Sequence, residues 1–456
     1  MGIFFKGTIA LTAIVTLLGM GCSSESPEVR LRKMLASQVT GVIHMPSGMI
    51  EISSELKLAP GAHDLTIVGS QTTLKASAQF VGRAILSGER VKHIRLADFS
   101  VDGNRGVLAN PLAMAPPENY YRVYYPNNGL LFDEAESLEI SGLHFANIVN
   151  FPILVSRSSM VRVIRVAVED SGSLNALGRN NTTGGMIFEE GSSNIEVRDC
   201  TFLRIRGNAL WTHSLYQSPR LHDGVFAGNH FDTVGRDAIE IGHATGFRVE
   251  DNTGMNIGFP REIVDVENGG TPVSLDTAGN VDHTVYQRNF FEEIDGKCID
   301  LDGFHDGSVR GNRCVNRKSA EDYPFGHFGI VMNNANPDMR PENVEIVDNH
   351  IDGAKFGGLF LIGSGHHVEG NVFENLNLAG CNENTRIACI YLRDEPEMLE
   401  SGIYLGRRAE RPAVTRDNVI RGNRISGHGM KKHCIEFAPT VTRQSNTIDG
   451  NQCSDN

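Results

Sequence analysis

The chain is poor in tryptophan, with Trp211 alone among 456 residues, and poor in positive charge, with 42 Lys and Arg against 55 Asp and Glu. No block of basic residues occurs, and the formal charge of −13 lacks the phosphate-neutralising surface that a nucleic-acid partner requires. Proline (17) and glycine (49) fall far short of a collagen-like or low-complexity content, and 40 % hydrophobic residues is too many for a disordered chain. None of the eight Cys stands in a Cys-x-x-Cys spacing, which removes a common metal and redox motif. Long apolar runs are missing too: the one candidate, 7–18, is too short to span a bilayer as a helix. Present in excess are Gly and Phe (22 residues), a composition suited to many short strands joined by tight turns.

Lys6 precedes the 7–18 run and small residues follow it up to Cys22, which reads as an export signal over 1–21. Cys22-Ser23-Ser24 resembles the bacterial lipoprotein signal, with Gly19 standing where that signal prefers Leu. The resemblance implies lipidation of Cys22 and a membrane partner through that lipid. With Ser23 beside the Cys, it implies an outer-membrane lipoprotein of a Gram-negative bacterium, periplasmic or surface-facing. An oxidising compartment permits disulfides, and Cys381–Cys389 and Cys434–Cys453 are candidate short-range pairs.

A short phrase recurs along the chain: V-R-D-C-T-F (197–202), A-G-N-H-F (227–231), V-E-D-N-T (249–253), V-R-G-N-R (309–313), V-D-N-H-I (347–351), V-E-G-N-V-F (368–373), R-G-N-R-I (421–425) and D-G-N-Q (449–452). Each is an alternating strand ending in a turn, centred on Asn in all but the first, where Cys200 stands, and stacked turns of this kind form an Asn ladder. A second phrase alternates with it: G-M-I-F (185–188), A-L-W-T (209–212), A-I-E-I (238–241), P-V-S-L (272–275), C-I-D-L (298–301), G-I-V-M (329–332), G-L-F-L (358–361), C-I-Y-L (389–392) and C-I-E-F (434–437). A strand of this pattern buries its second and fourth side chains and turns the third outward. The outward row then reads Ile187, Trp211, Glu240, Ser274, Asp300, Val331, Phe360 and Tyr391.

These repeats predict an all-β chain, a single-stranded right-handed parallel β-helix solenoid with long loops flanking one sheet. Residues 42–75, with a Pro-x-Gly turn followed by strands and a Thr-Leu, resemble the first coil of the pectate-lyase-like superfamily. Just before it, 26–38 places Leu31, Met34 and Leu35 on one helical face, as an N-terminal cap helix would. The expected organisation is a signal peptide over 1–21, a linker and cap helix over 22–41, and the β-helix over 42–456. The resemblance implies fold, not activity, because that superfamily holds lyases, hydrolases, epimerases, adhesins and phage tail proteins.

Insertions cluster at the edges of the second-phrase strands: 104–127, 168–184, 253–270, 316–327 and 376–387 before them, and 213–222, 333–341 and 393–416 after them. Loops on both edges of one sheet wall a groove across it. Its expected floor pairs Trp211 with His213, Glu240 with Gly242, Ser274 with Asp276, Asp300 with Asp302, and Val331 with Asn333. Carboxylates stacked on coils ~4.8 Å apart raise one another's pKa. A glycoside hydrolase needs one protonated acid and one carboxylate base, and Asp276, Asp300 and Asp302 are the expected set, supported by Glu240 and His213, with no cofactor required. The Asn-Thr-Asp and Asp-Asp signatures of the inverting β-helix hydrolases are absent, and Gly-His-Gly occurs only at 427–429, outside the acidic strands. A polysaccharide lyase or uronate C5-epimerase instead needs a cation such as Ca²⁺ on the carboxylates and a base from Lys297, Arg236, His213 or His305. The segment 300–308, D-L-D-G-F-H-D-G-S, is similar to the Asp-Pro-His-Asp motif of alginate epimerases, with Leu301 and Gly303-Phe304 departing from it. Candidate binding residues for a polysaccharide substrate are Trp211, Arg236, His243, Lys297, His305 and Asn333, and Tyr121 and Tyr124 from the cluster Y-Y-R-V-Y-Y (120–125). His366-His367 reads as a solvent-facing turn. A non-catalytic carbohydrate-binding or surface-scaffold β-helix is the reading outside enzymes.

Overall fold

An apolar–variable–apolar triplet buries two side chains only if the chain turns back over itself, and this chain does so repeatedly. A computed structural model describes residues 25–268, 270–335, 339–381, 389, 393–407 and 411–456. The expected signal segment with Cys22 therefore lies outside the described residues, as do 390–392 with Tyr391. Among the described residues every strand pairing is parallel. One coil consists of Ile153–Ser156, Ser159–Ile164 and Ala167–Glu169, and the next of Met186–Glu189, Ser193–Arg198 and Thr201–Ile205. Each strand pairs with its counterpart one coil on: Leu154 with Ile187, Val161 with Ile195 and Val168 with Phe202. Three sheets result, and the front one carries the second phrase.

The Asn phrase becomes the spine. Asn229, Asn252, Asn289, Asn312, Asn349, Asn371, Asn423 and Asn451 stack so that each Oδ1 accepts from the backbone N–H one coil below. From Asn252 upward each Oδ1 also accepts from the preceding rung's Nδ2, as in Asn289 N–H to Asn312 Oδ1 at 3.1 Å and Asn289 Nδ2 to the same oxygen at 2.8 Å. A tight turn would otherwise bury unpaired backbone groups. The ladder begins at Cys200, the buried free thiol, whose N–H donates to Asn229 Oδ1 at 3.0 Å. At another corner His366 is a rung of a similar stack rather than a solvent-facing turn residue. It is fully buried, its Nδ1 accepts from Val344 N–H at 3.1 Å, and its Nε2 meets the Ile362 carbonyl at 2.9 Å.

The helix Pro27–Ser37, with Ser26 as N-cap, closes the amino end of the core with Leu31 and Leu35 fully buried. Disulfides join Cys381 to Cys389 and Cys434 to Cys453, and a third joins Cys298 to Cys314. The register departs from the sequence pattern at two places. Glu240 pairs with Asp276, not Ser274, because Leu275 occupies the slot that Val273 was expected to fill. The strand that follows Leu359–Leu361 in the front sheet is Ile403–Leu405, so Tyr404 stacks beside Phe360, in the place the pattern assigned to Tyr391.

Candidate active site

The outward row of the front sheet runs Leu131, Leu154, Ile187, Trp211, Glu240, Asp276, Asp300, Val331, Phe360 and Tyr404, with Asp276 carried beside Asp300 by the pairing of Leu275 with Ile299. Its apolar ends are both covered. At the amino end, Tyr121, Tyr125 and Phe151 pack over Leu131, Leu154, Ile187 and Trp211 in one buried cluster. The short helix Tyr121–Tyr124 is held there by Glu189, whose carboxylate accepts from the N–H groups of Tyr121 at 2.9 Å and Arg122 at 3.2 Å. At the carboxyl end Val331, Phe360 and Tyr404 are buried. Between them lie three coils of carboxylates.

One oxygen from each of Asp237, Glu240 and Asp276 falls within 4.8 Å of the others. The Arg236 guanidinium lies 3.3 Å from Asp237 Oδ2, and the second Asp237 oxygen accepts from Val273 N–H at 3.0 Å. Asn208 Nδ2 donates to Glu240, and Lys297 Nζ donates to Asp300, whose other oxygen is buried without a partner. Four carboxylates thus face two cations, which leaves a formal excess of two negative charges in a largely dry place. Protonation relieves it. Burial, then the charge of Asp237, pushes Glu240 up to about 8. Burial pushes Asp237 up to about 6 against the pull of Arg236. Asp276 goes well above the carboxylate range through burial and then through Asp237, Asp300 and Glu240. Burial works against the charge of Lys297, but Asp300 outweighs it and holds the ammonium above its ordinary value.

Asp276, Asp302, Lys297, Arg236 and Asn333 form the partly exposed fringe of this cluster. Asp302 pairs in register with Asn333, and its Oδ1 accepts from Ala335 N–H at 2.9 Å. Ser274 is fully buried.

Several expected binding residues are placed elsewhere. Trp211 is 2 % exposed and lies 5.3 Å from the Tyr121 ring, so its face is not open to a sugar. Tyr121 is itself buried, and Tyr124 packs against the same cluster. His213 lies one coil below the acids with Tyr121 stacked on it at 4.4 Å. Burial, then His243, takes its pKa down to about 4, so it is a neutral ring beside Glu189 and Glu190. His243 is 8 % exposed and packs against Tyr216. His305 has both ring nitrogens engaged, with Asp306 at 2.8 Å and Asn280 at 2.9 Å, at the corner beyond the front strand. It is not available as a base at the acidic row.

Four participants have no signal in the repeat pattern. Asp237 and Asn208 stand in turns just before front strands, where no alternation fixes a face. Glu189 ends its strand. His327, in the 316–327 insertion, is neutral, with its pKa taken down to about 3 by burial and then by Lys297, and its Nδ1 is buried without a partner.

A family model described as a right handed beta helix region matches residues 119–277. No curated protein matches the chain by sequence. Among solved structures, the chain is similar to the catalytic domain of a GH87 α-1,3-glucanase (TM-score 0.53, 13 % identity, 85 % of this chain and 68 % of that one). It is also similar to the family 28 exopolygalacturonase of Yersinia enterocolitica (TM-score 0.51, 10 % identity, 94 % and 76 %). A third is PfbA, a surface adhesin of Streptococcus pneumoniae (TM-score 0.52, 13 % identity, 75 % and 83 %). The chain spans 59 % of the length of a further match, Geobacillus virus E2 ORF18. The chain is therefore a right-handed parallel β-helix protein with the pectate-lyase-like fold. At such identities the likeness defines the fold and leaves function to the site.

Proposed function

We propose that the acidic row is the catalytic centre of a carbohydrate-active enzyme, a glycoside hydrolase acting on polysaccharide. The observation that carries this reading is Asp276. It is partly exposed, yet held protonated by burial and by the negative charges of Asp237 and Asp300. A carboxylic acid kept neutral beside ionised neighbours is what protonation of a glycosidic oxygen requires.

Asp276 donates its proton to the leaving oxygen. Asp302 lies one coil on and two residues along, a diagonal of roughly 8 Å from strand spacing and rise, which leaves room for a water between the two carboxyl groups. Asp302 takes a proton from that water, the oxygen attacks the anomeric carbon, and the glycosidic C–O bond breaks to give one new reducing end. Asp237, together with Asp300 paired to Lys297, sets the charge that keeps Asp276 protonated. The glucanase and exopolygalacturonase among the structural neighbours are consistent with such chemistry on this fold.

One observation favours a second reading. The oxygens of Asp237, Glu240 and Asp276, all within 4.8 Å, offer a hard-cation donor set to Ca²⁺, as a polysaccharide lyase or uronate C5-epimerase would use. Against it, Lys297 is held charged by Asp300 and so is a poor base, and Arg236 and Lys297 already occupy the counter-charge positions. The adhesin neighbour keeps a carbohydrate-binding scaffold as the reading without catalysis.

Incubation with neutral and uronate polysaccharides separates these readings. New reducing ends without ultraviolet absorbance from unsaturated uronate are expected. That absorbance would overturn hydrolysis in favour of elimination, and no change on a broad panel would favour the scaffold. We further propose that the protein acts as an exported, Cys22-anchored lipoprotein of the outer membrane; labelling with a fatty-acid analogue should be lost in Cys22→Ser.

A further inference from the structure

Beyond the front strand Ile330–Asn333, residues Asn334 and Ala335 lead from the acidic row into a separate cleft of about 550 Å³. Ala335 is the link. Its N–H donates to Asp302 Oδ1 at 2.9 Å, while its carbonyl accepts from Arg411 Nε at 3.1 Å. Arg411 is fixed further by its own N–H, which donates to the Asn334 carbonyl at 3.1 Å.

The cleft collects positive charge in an acidic protein. Arg340, Arg411 and Arg416 line it, with Glu342 as the one acidic lining residue. Among the described residues, Arg340 makes no ion pair or side-chain hydrogen bond, and Arg411 has no carboxylate partner. Arg416 meets only the exposed Asp417, at 3.4 Å, a solvent-screened contact worth little. Three arginines line one cavity, and their planar forks match carboxylate and sulfate oxygens. A second observation points to a ligand with hydroxyls. Asn334 is 7 % exposed and lines the cleft, and its Oδ1 is buried with no donor.

We infer that this cleft is a subsite for an acidic sugar unit, the arginines taking a carboxylate or sulfate and Asn334 a neighbouring hydroxyl, so that the substrate is an anionic polysaccharide. The inference rests on the carbohydrate-active reading of the adjoining acids, but it is a statement about binding and is tested without turnover. The subsite begins at Asn334, the residue after Asn333, which is the register partner of Asp302 on the next coil, so the bound unit lies next to the sugar whose linkage Asp276 and Asp302 flank.

The test is equilibrium binding of three polymers to the full chain: a polyuronate, the same polymer with its carboxyls reduced, and a sulfated glycan. The polyuronate or the sulfated glycan should bind at least tenfold more tightly than the reduced polymer, and added salt should weaken that binding. Whichever of the two binds identifies the anion. Arg340→Ala/Arg411→Ala should lose tenfold or more of this affinity, whereas Asp276→Asn should retain it. If the double variant does not fold, Arg340→Gln at the exposed position decides, with a loss of severalfold expected. Equal binding of the reduced polymer, no binding of either anionic polymer, or unchanged affinity in a folded arginine variant would overturn the inference. Arginine-dependent binding without cleavage would leave the subsite standing and remove the hydrolase reading. Cleavage of neutral polymers alone would do the reverse.

Discussion

Glu240 shows how a single residue reports on the whole acidic row. Its folded pKa lies near 8, against an ordinary 4.5, because burial and the charge of Asp237 disfavour its ionised form. Between those values the folded chain holds a proton that the unfolded chain has released, so folding stability falls as pH rises from about 4.5 to about 8 and levels off above. Each pH unit in that window costs up to about 1.4 kcal/mol per such group. Glu240→Gln removes the titration and keeps the acceptor for Asn208, so its stability should be flatter across that window than the parent's; urea denaturation at a series of pH values measures this, and an unchanged slope would contradict it. Asp237 acts on Asp276 by charge alone. Asp237→Asn removes a negative neighbour, lowers the Asp276 pKa and should shift the basic limb of the kcat/KM profile to lower pH. A merely structural role for Asp237 would lower activity without moving that limb.

At the scale of elements, the Asn rungs and the apolar triplets made the coils and the front sheet legible. Both report on buried positions where physics leaves little choice. Register was less legible. Strand Val273–Asp282 alternates through Val273, Leu275 and Thr277, so a slip of two residues keeps every face correct while exchanging Ser274 for Asp276 in the row. Cys389-Ile390-Tyr391-Leu392 and Gly402-Ile403-Tyr404-Leu405 carry the same small–Ile–Tyr–Leu pattern, and only pairing with Phe360 selects the second. Glu240, Asp300 and Asp302 could be read as outward because they sit inside the pattern. Asp237 and His327 could not, because turns and insertions follow no period. Trp211 was legible in position but not in exposure, which depends on where the 104–127 insertion folds. The ladder itself is testable: Asn312→Ala leaves the Asn289 N–H and Nδ2 without their acceptor and the Tyr286 carbonyl without its donor. The loss should be about 1–3 kcal/mol or more, read from urea denaturation. A loss below about 0.5 kcal/mol would mean that water replaces the rung.

For the whole molecule, a solenoid is stabilised coil by coil, and its ends need closing. Helix Pro27–Ser37 does this at the amino end through Leu31 and Leu35. Leu35→Asp should fray the first coils while leaving the distant acidic row folded, seen as hydrogen exchange rising from residue 41 onward with protection at Ile299 retained; uniform loss of protection would contradict coil-by-coil stability. The same architecture explains the placement of the site. A rigid sheet brings Glu240, Asp276 and Asp300 onto successive coils, and loops cover the row on either side of them. The measurement that bears most directly on this placement is proton NMR of the anomeric signals during polysaccharide cleavage, run on the parent and on Asp276→Asn. The expected result is an inverted anomer at the new reducing end, formed by the parent and suppressed by about 10²-fold or more in the variant. Retention of configuration, signals of an unsaturated uronate, or an Asp276→Asn enzyme as active as the parent would contradict it.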